Sequence, residues 1–199
     1  MSFPSFFDQI PTITLRDPLA KFLGAVDDGF IQYSYPEVVK LTGHSCPTVA
    51  GAYLMTLKGL KQIYGDEVPE RGAIQVEFRD SQQNGVTGVI ANVVSFITGA
   101  TTDNGFKGLG GNYDRRDLLF FEQPIDGVMR FQRLDNGAQA TVNYNAGVVP
   151  ASPEMMPALQ QAMAPSASSQ QKAQFAGVWQ DRVRRIFESI DNPSLVMVA

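Results

Sequence analysis

The chain of 199 residues contains one cysteine, one histidine and one tryptophan. A single cysteine excludes a disulfide within the chain, so a hydrophobic core must hold the fold, and 44% hydrophobic residues are enough for one. No apolar run reaches the length of about 18 residues that a membrane helix needs, so we expect no membrane span. The longest basic run is Arg182-Val183-Arg184-Arg185 and the net charge is −4, which argues against a nucleic-acid partner. The N-terminus lacks the basic and apolar regions of a signal peptide, so we expect a cytoplasmic location.

The single histidine and the single cysteine lie two positions apart, in the segment Gly43-His44-Ser45-Cys46-Pro47. The next segment, residues 48–64, has the pattern of a helix, and Pro47 stands at the first-turn position that proline tolerates best. Cys46 then lies at or next to the N-terminal cap, where free backbone N–H groups and the helix dipole stabilise a thiolate. A thiolate beside an imidazole can bind a metal or attack an electrophile. We therefore predict that His44 and Cys46 form the functional site.

The remaining pattern predicts an α+β fold, with an antiparallel or mixed sheet, packed helices and a C-terminal amphipathic helix. Alternating apolar residues predict strands at 73–78, 118–122, 128–133 and 138–144. Turn signals separate the last three segments, so we expect an antiparallel meander there. Residues 87–97 fit a strand by their β-branched content and also fit a buried helix, and the pattern leaves both open.

Composition divides the chain into two parts. Residues 1–148 hold the predicted α+β core with an aromatic N-terminal arm. Residues 149–199 begin with a stretch rich in Pro, Ala, Ser, Gln and Met, which is typical of a linker. They end in an amphipathic helix at about 170–190, whose apolar stripe we expect to pack on the core or on a partner subunit.

Two segments resemble a known family. Gly43-His44-Ser45-Cys46-Pro47 is similar to the Gly-His-x-Cys-Pro-Gly signature of the FmdE family, which takes its name from formylmethanofuran dehydrogenase. Thr98-Gly99-Ala100-Thr101 looks like that family's Thr-Gly-Cys-Thr, the Gly-rich loop after it looks like its Gly-Lys-Gly-Asn stretch, and Asn112-Tyr113 resembles its Asp-Tyr-Gly-Lys element. The resemblance covers about residues 20–145. It implies an α+β core that is commonly a homodimer, and a His/Cys site for a metal such as zinc.

The chain departs from the family where further thiolates would come from. The cysteine of the family's Thr-Gly-Cys-Thr element is Ala100 here, and its upstream Cys-x-x-Asp falls on Val89 and Asn92. No cysteine follows Cys46, so the four-cysteine zinc finger of some members is absent. A site that needs two or three thiolates therefore cannot form within one chain.

From these residues we predict a divalent metal site that suits zinc best, with iron or nickel as alternatives. His44 and Cys46 would be ligands, and water, the loop after Thr98 or another subunit would complete the coordination. Further polar residues are predicted to line a cofactor or small-molecule site nearby: Asn92, Thr101, Asp103, Asn104 and Tyr113.

Two other functions fit the same residues. In a metal-free enzyme, Cys46 would be the thiolate nucleophile and His44 its catalytic base. Alternatively, the chain is a non-enzymatic accessory subunit of a larger molybdenum or tungsten oxidoreductase. The substrate and the reaction stay open at this stage.

Overall fold

The computed structural model describes residues 2–199, which form six α-helices and nine β-strands. The helices are α1 (Pro18–Phe22), α2 (Tyr35–Thr42), α3 (Pro47–Tyr64), α4 (Thr87–Thr98), α5 (Met155–Met163) and α6 (Ser169–Glu188). The strands are β1 (Ile13–Arg16), β2 (Phe30–Tyr33), β3 (Ile74–Phe78), β4 (Lys107–Leu109), β5 (Asn112–Asp114), β6 (Leu119–Phe120), β7 (Met129–Arg133), β8 (Gln139–Tyr144) and β9 (Val196–Val198). The predicted α+β class with packed helices and a C-terminal helix is confirmed.

The main sheet has five strands in the order β6-β3-β7-β8-β9. β7 and β8 form the predicted antiparallel hairpin, but the predicted meander is wrong for β6, which pairs parallel to β3 on the other side of that strand. The chain crosses the end of β3 after β6, where the backbone N–H of Gln123 donates to the carbonyl of Phe78 at 2.9 Å. This crossing delivers β7 to the opposite side of β3, so the sheet is mixed.

The ambiguous segment forms the helix α4. Its buried residues recur at helical spacing, with Ile90, Val93, Val94 and Ile97 on one face, and this face packs on α3. Burial of that face outweighs the strand preference of the β-branched residues, because propensity is a weak term beside tertiary packing. Gly99 ends the helix in the left-handed conformation, with φ of 75°.

The helix α3 lies directly on the strands β7 and β8. A Cβ atom at Gly51 would lie 2.4 Å from the Tyr144 ring, and one at Gly59 would lie 2.5 Å from the Phe131 ring. The two glycines therefore allow the backbone of the helix to approach the sheet. This packing fixes the N-terminus of α3 relative to β8.

The C-terminal residues complete the sheet and cover α3. β9 adds to β8 as an antiparallel edge strand. In α6 the side chains of Val183 and Ile186 are fully buried, and the ring of Phe187 lies 4.6 Å from that of Tyr35. Within residues 2–199, no helix combines the length and the apolar character that a membrane crossing requires.

Candidate functional site

The segment that carries the histidine and the cysteine joins two helices. α2 ends at Gly43, whose φ of 74° reverses the chain after the helix, and α3 begins at Pro47. His44 is exposed, and its Nδ1 lies 3.0 Å from the carbonyl oxygen of Thr42. A carbonyl can only accept, so Nδ1 carries a proton, and in the neutral ring Nε2 is the nitrogen with the free lone pair. An imidazole held in this way presents Nε2 as an oriented ligand or base.

Cys46 caps α3, as the sequence predicts. Its backbone is extended, with φ of −151°, and its Sγ accepts a hydrogen bond from the backbone N–H of Val49 at 3.4 Å. The side chain is half-buried. The free N–H groups of the first turn and the helix dipole favour negative charge at this position, which is the form of sulfur that binds metals.

Ser45, between the two, is buried and anchors the segment from both sides. Its hydroxyl shares a hydrogen bond of 2.9 Å with the hydroxyl of Tyr35. Its carbonyl accepts one from the indole Nε1 of Trp179 at 2.8 Å and one from Nε2 of Gln180 at 3.2 Å. The side chains of α6 therefore hold the site in place. The sequence did not predict these contacts, although a tryptophan N–H on an apolar stripe needs a partner when it is buried.

The buried Tyr35 and the half-buried Tyr144 lie near Cys46. The hydroxyl of Tyr144 donates to the carbonyl of Pro47 at 3.0 Å. Burial raises the pKa of Tyr144 and of Tyr35 well above the usual range of a phenol, and negative charge on Cys46 raises both further. Both phenols therefore stay protonated at neutral pH. Neither phenol acts as a base, and Tyr144 is a hydrogen-bond donor.

A metal would find two protein ligands on one chain. Within residues 2–199 there is no group of three or more His, Cys, Asp or Glu side chains placed to hold a metal ion. The donor set of His44 and Cys46, one imidazole and one thiolate, suits zinc, which takes four ligands in structural sites and three plus water in catalytic ones. By donor type alone, these two residues would supply half of a four-ligand zinc shell.

The predicted small-molecule residues lie elsewhere. Asn92, Thr101 and Asn104 line one cavity of about 110 Å³, and neither His44 nor Cys46 belongs to its wall. Asp103 is next to this cavity, where its carboxylate accepts a hydrogen bond of 3.2 Å from the hydroxyl of Thr102, which is a wall residue. Three predicted residues thus surround one pocket, which is distinct from the His/Cys segment.

Tyr113 lines a different cavity, of about 240 Å³, beside Arg71 and Arg115. Its backbone is left-handed, with φ of 64°, and its ring lies 5.4 Å from that of Phe22. The two arginines come from separate loops and meet at Asp17. No local pattern in the sequence marks this group, because its members are 54 and 98 positions away from Asp17.

Comparison with protein-family models finds no match for the chain, and comparison with curated proteins finds none either. The resemblance to the FmdE family therefore stays a prediction.

Proposed function

We propose that the protein binds a divalent metal ion, zinc by preference, through Nε2 of His44 and Sγ of Cys46. The observation that carries the proposal is the hydrogen bond from Nδ1 of His44 to the carbonyl of Thr42, which is 3.0 Å long. Ligand histidines in proteins use this arrangement, in which one ring nitrogen donates to an oxygen and the other binds the metal. The position of Cys46 at the start of α3 supports the thiolate that the second ligand requires.

Two protein ligands leave two positions of a tetrahedral site to be filled. A second copy of the chain would supply another His44 and Cys46 and close the site as a Cys₂His₂ centre, which is a structural arrangement. Water would instead leave the site open, and zinc there would polarise a small molecule bound to it. The ratio of metal to protein separates these two forms.

The surrounding side chains would hold the backbone between the two ligands in a fixed position. Trp179 and Gln180 hold the carbonyl of Ser45, and Tyr144 holds that of Pro47, so both flanks of Cys46 are fixed. Such bonds reduce the entropy that is lost when a metal binds. The exposed ring of His44 leaves the outer side of the site accessible to water or to another chain.

The test is elemental analysis of the full chain, purified without an affinity tag and then reconstituted with zinc. We expect about one zinc per chain for the open form, or about one per two chains for the shared form. His44→Ala and Cys46→Ser should each lose the metal, whereas Asn92→Ala, in the wall of the other cavity, should keep it. The absolute mass from light scattering should double in the shared form. Zinc retained by both ligand variants, or none bound by the wild type, would contradict the proposal.

A metal-free thiolate is the second candidate, because the N–H of Val49 already points at Sγ of Cys46. The hydrogen bond that would make His44 the base of Cys46 is not formed among residues 2–199, so His44 would act only after a movement of its side chain. Iodoacetamide would then modify Cys46 of the metal-free wild type, the Cys46→Ser variant would stay unmodified, and His44→Ala would slow the reaction. Equal rates for wild type and His44→Ala would show that His44 does not act as the base of Cys46.

A further inference from the structure

The cavity of about 240 Å³ beside Tyr113 has charged walls, and we refer to it as the Arg71–Arg115 cavity. The strand β5 forms one wall, with Asn112, Tyr113 and Asp114, and the loop before β3 forms another, with Glu70 and Arg71. It is separate from the His/Cys segment.

Two guanidinium groups at this cavity share one carboxylate. Nη2 of Arg115 donates to Oδ1 of Asp17 at 2.8 Å, and Nη1 of Arg71 donates to Oδ2 of the same group at 3.1 Å. Burial opposes the charge of Asp17, but the N–H of Ala20 and the two arginines keep its pKa below the usual value. The cluster thus holds two positive charges and one negative charge. The other donors of Arg71 bind two backbone carbonyls at the C-terminal end of α4, so one positive charge has no carboxylate of its own.

The acidic residues of the wall do not cancel that charge. Glu70 forms an ion pair with Arg16. Asp114 accepts hydrogen bonds from Arg116, with an ion pair of 2.7 Å, and these bonds lower the pKa of Asp114 to about 2. Each wall carboxylate is therefore neutralised by an arginine of its own, outside the cluster. The excess positive charge stays at the cavity.

Arg115 also has unused hydrogen-bond donors. Its side chain is 6% exposed, and among residues 2–199 neither its Nε nor its Nη1 finds a partner. Nη1 lies against Gly72, where a Cβ atom would be 2.2 Å away, so only glycine fits there. Burial lowers the pKa of Arg115, and the neighbouring Arg71 lowers it too. Buried donors are almost always paired, so this group calls for an acceptor that carries negative charge.

We infer that the Arg71–Arg115 cavity binds a small oxyanion, the carboxylate or phosphate group of a metabolite. The net positive charge of the cluster attracts the anion, and the enclosed N–H groups of Arg115 donate to it once the wall beside Gly72 shifts. The ring of Tyr113, packed against Phe22, forms the less polar side of the same cavity and contacts the rest of the ligand.

The test is a titration of the full chain, labelled with nitrogen-15, with inorganic phosphate and separately with acetate. Sodium chloride keeps the ionic strength constant and serves as the reference. We expect saturable shifts of the amide signals of Gly72 and Tyr113 with at least one of the two anions. The anion that gives the saturable shifts shows whether the cavity takes a phosphate or a carboxylate group.

Charge variants decide whether the cavity is responsible. Asn112 is exposed in the wall, so its substitution leaves the Asp17 cluster intact. Asn112→Asp should lower the affinity for the anion about fivefold, and Asn112→Lys should raise it by a similar factor. Each variant adds one charge a few ångströms from the ligand. Arg71→Gln should weaken binding further. Arg79→Gln, which removes the same charge outside this wall, should change it less than about twofold. Shifts no larger than those with chloride, or affinities equal in the two Asn112 variants, would overturn the inference.

Discussion

The indole Nε1 of Trp179 donates a hydrogen bond of 2.8 Å to the carbonyl of Ser45, which lies 134 positions earlier in the chain. The bond joins the C-terminal helix α6 to the residue between His44 and Cys46. Residues that are far apart in the sequence therefore fix the geometry of the proposed site. The C-terminal part of the chain is a structural component of that site as well as a cover for α3.

The Trp179 bond should contribute measurably to stability. Trp179→Phe keeps an aromatic ring and removes the donor, so we expect the free energy of unfolding in urea to fall by about 1 kcal/mol. Gln174→Ala, at an exposed position of the same helix, should change it by less than about 0.5 kcal/mol. Equal values for the two variants would mean that the bond does not hold the segment.

Substitution by alanine should have opposite effects on stability at two helical glycines, one packed against β8 and one in open space. Gly51→Ala places a methyl group 2.4 Å from the Tyr144 ring, so the protein should lose about 1 to 3 kcal/mol of stability. Gly177→Ala, in α6, meets open space and should gain about 0.5 to 1 kcal/mol, because alanine favours helix. Thermal unfolding of both variants checks the pair. A stabilised Gly51→Ala would show that α3 does not pack so closely.

The sequence predicted the elements whose signal is local. Alternation located β3, β7 and β8, because each of these strands buries all or most of one face on α3 or within the core. It also located β6, in which two residues pair, Leu119 and Phe120, but the predicted meander gave this strand the wrong neighbour. The loop that crosses the end of β3 decides on which side of β3 this short strand pairs. The pattern of apolar residues does not predict that side. The segment of α4 stayed ambiguous because β-branched residues fill a helix face that tertiary packing selected.

The proposed site shows the same division. Pro47 and the helix pattern after it placed Cys46 at an N-terminal cap, since capping is a local rule. The anchors of the segment, Trp179 and Tyr144, come from distant elements and carry no signal at the cap itself. Tyr113 was predicted as a polar residue near the His/Cys segment, but it lies in β5 and lines the cavity beside Arg71 and Arg115, which no local pattern records.

The buried cluster of Asp17 predicts how stability depends on pH. The folded pKa of this carboxyl lies below its ordinary value of 3.8, so its stabilising contribution is complete above that pH and is lost as the pH falls through the folded pKa. Asp17→Asn should lower the free energy of unfolding by about 2 kcal/mol or more at neutral pH, because the buried Arg115 and the half-buried Arg71 lose their carboxylate. The difference from wild type should stay constant from about pH 7 to pH 5 and shrink below about pH 4.

Urea titrations at a series of pH values measure this difference. The control is Asp27→Asn, at an exposed carboxyl, which should differ from wild type by less than about 0.5 kcal/mol at every pH. A gap between wild type and Asp17→Asn that widens as the solution becomes acidic would reverse the predicted sign.

The central claim is that His44 and Cys46 bind the same metal ion. Reconstitution of the full chain with cobalt(II), followed by absorption spectroscopy, tests it most directly, because a bound thiolate adds a charge-transfer band in the near ultraviolet. We predict this band for the wild type, its loss in Cys46→Ser, and weaker cobalt affinity with the band retained at high cobalt in His44→Ala. Cobalt bound by the wild type with no thiolate band, or a band unchanged in Cys46→Ser, would contradict the claim.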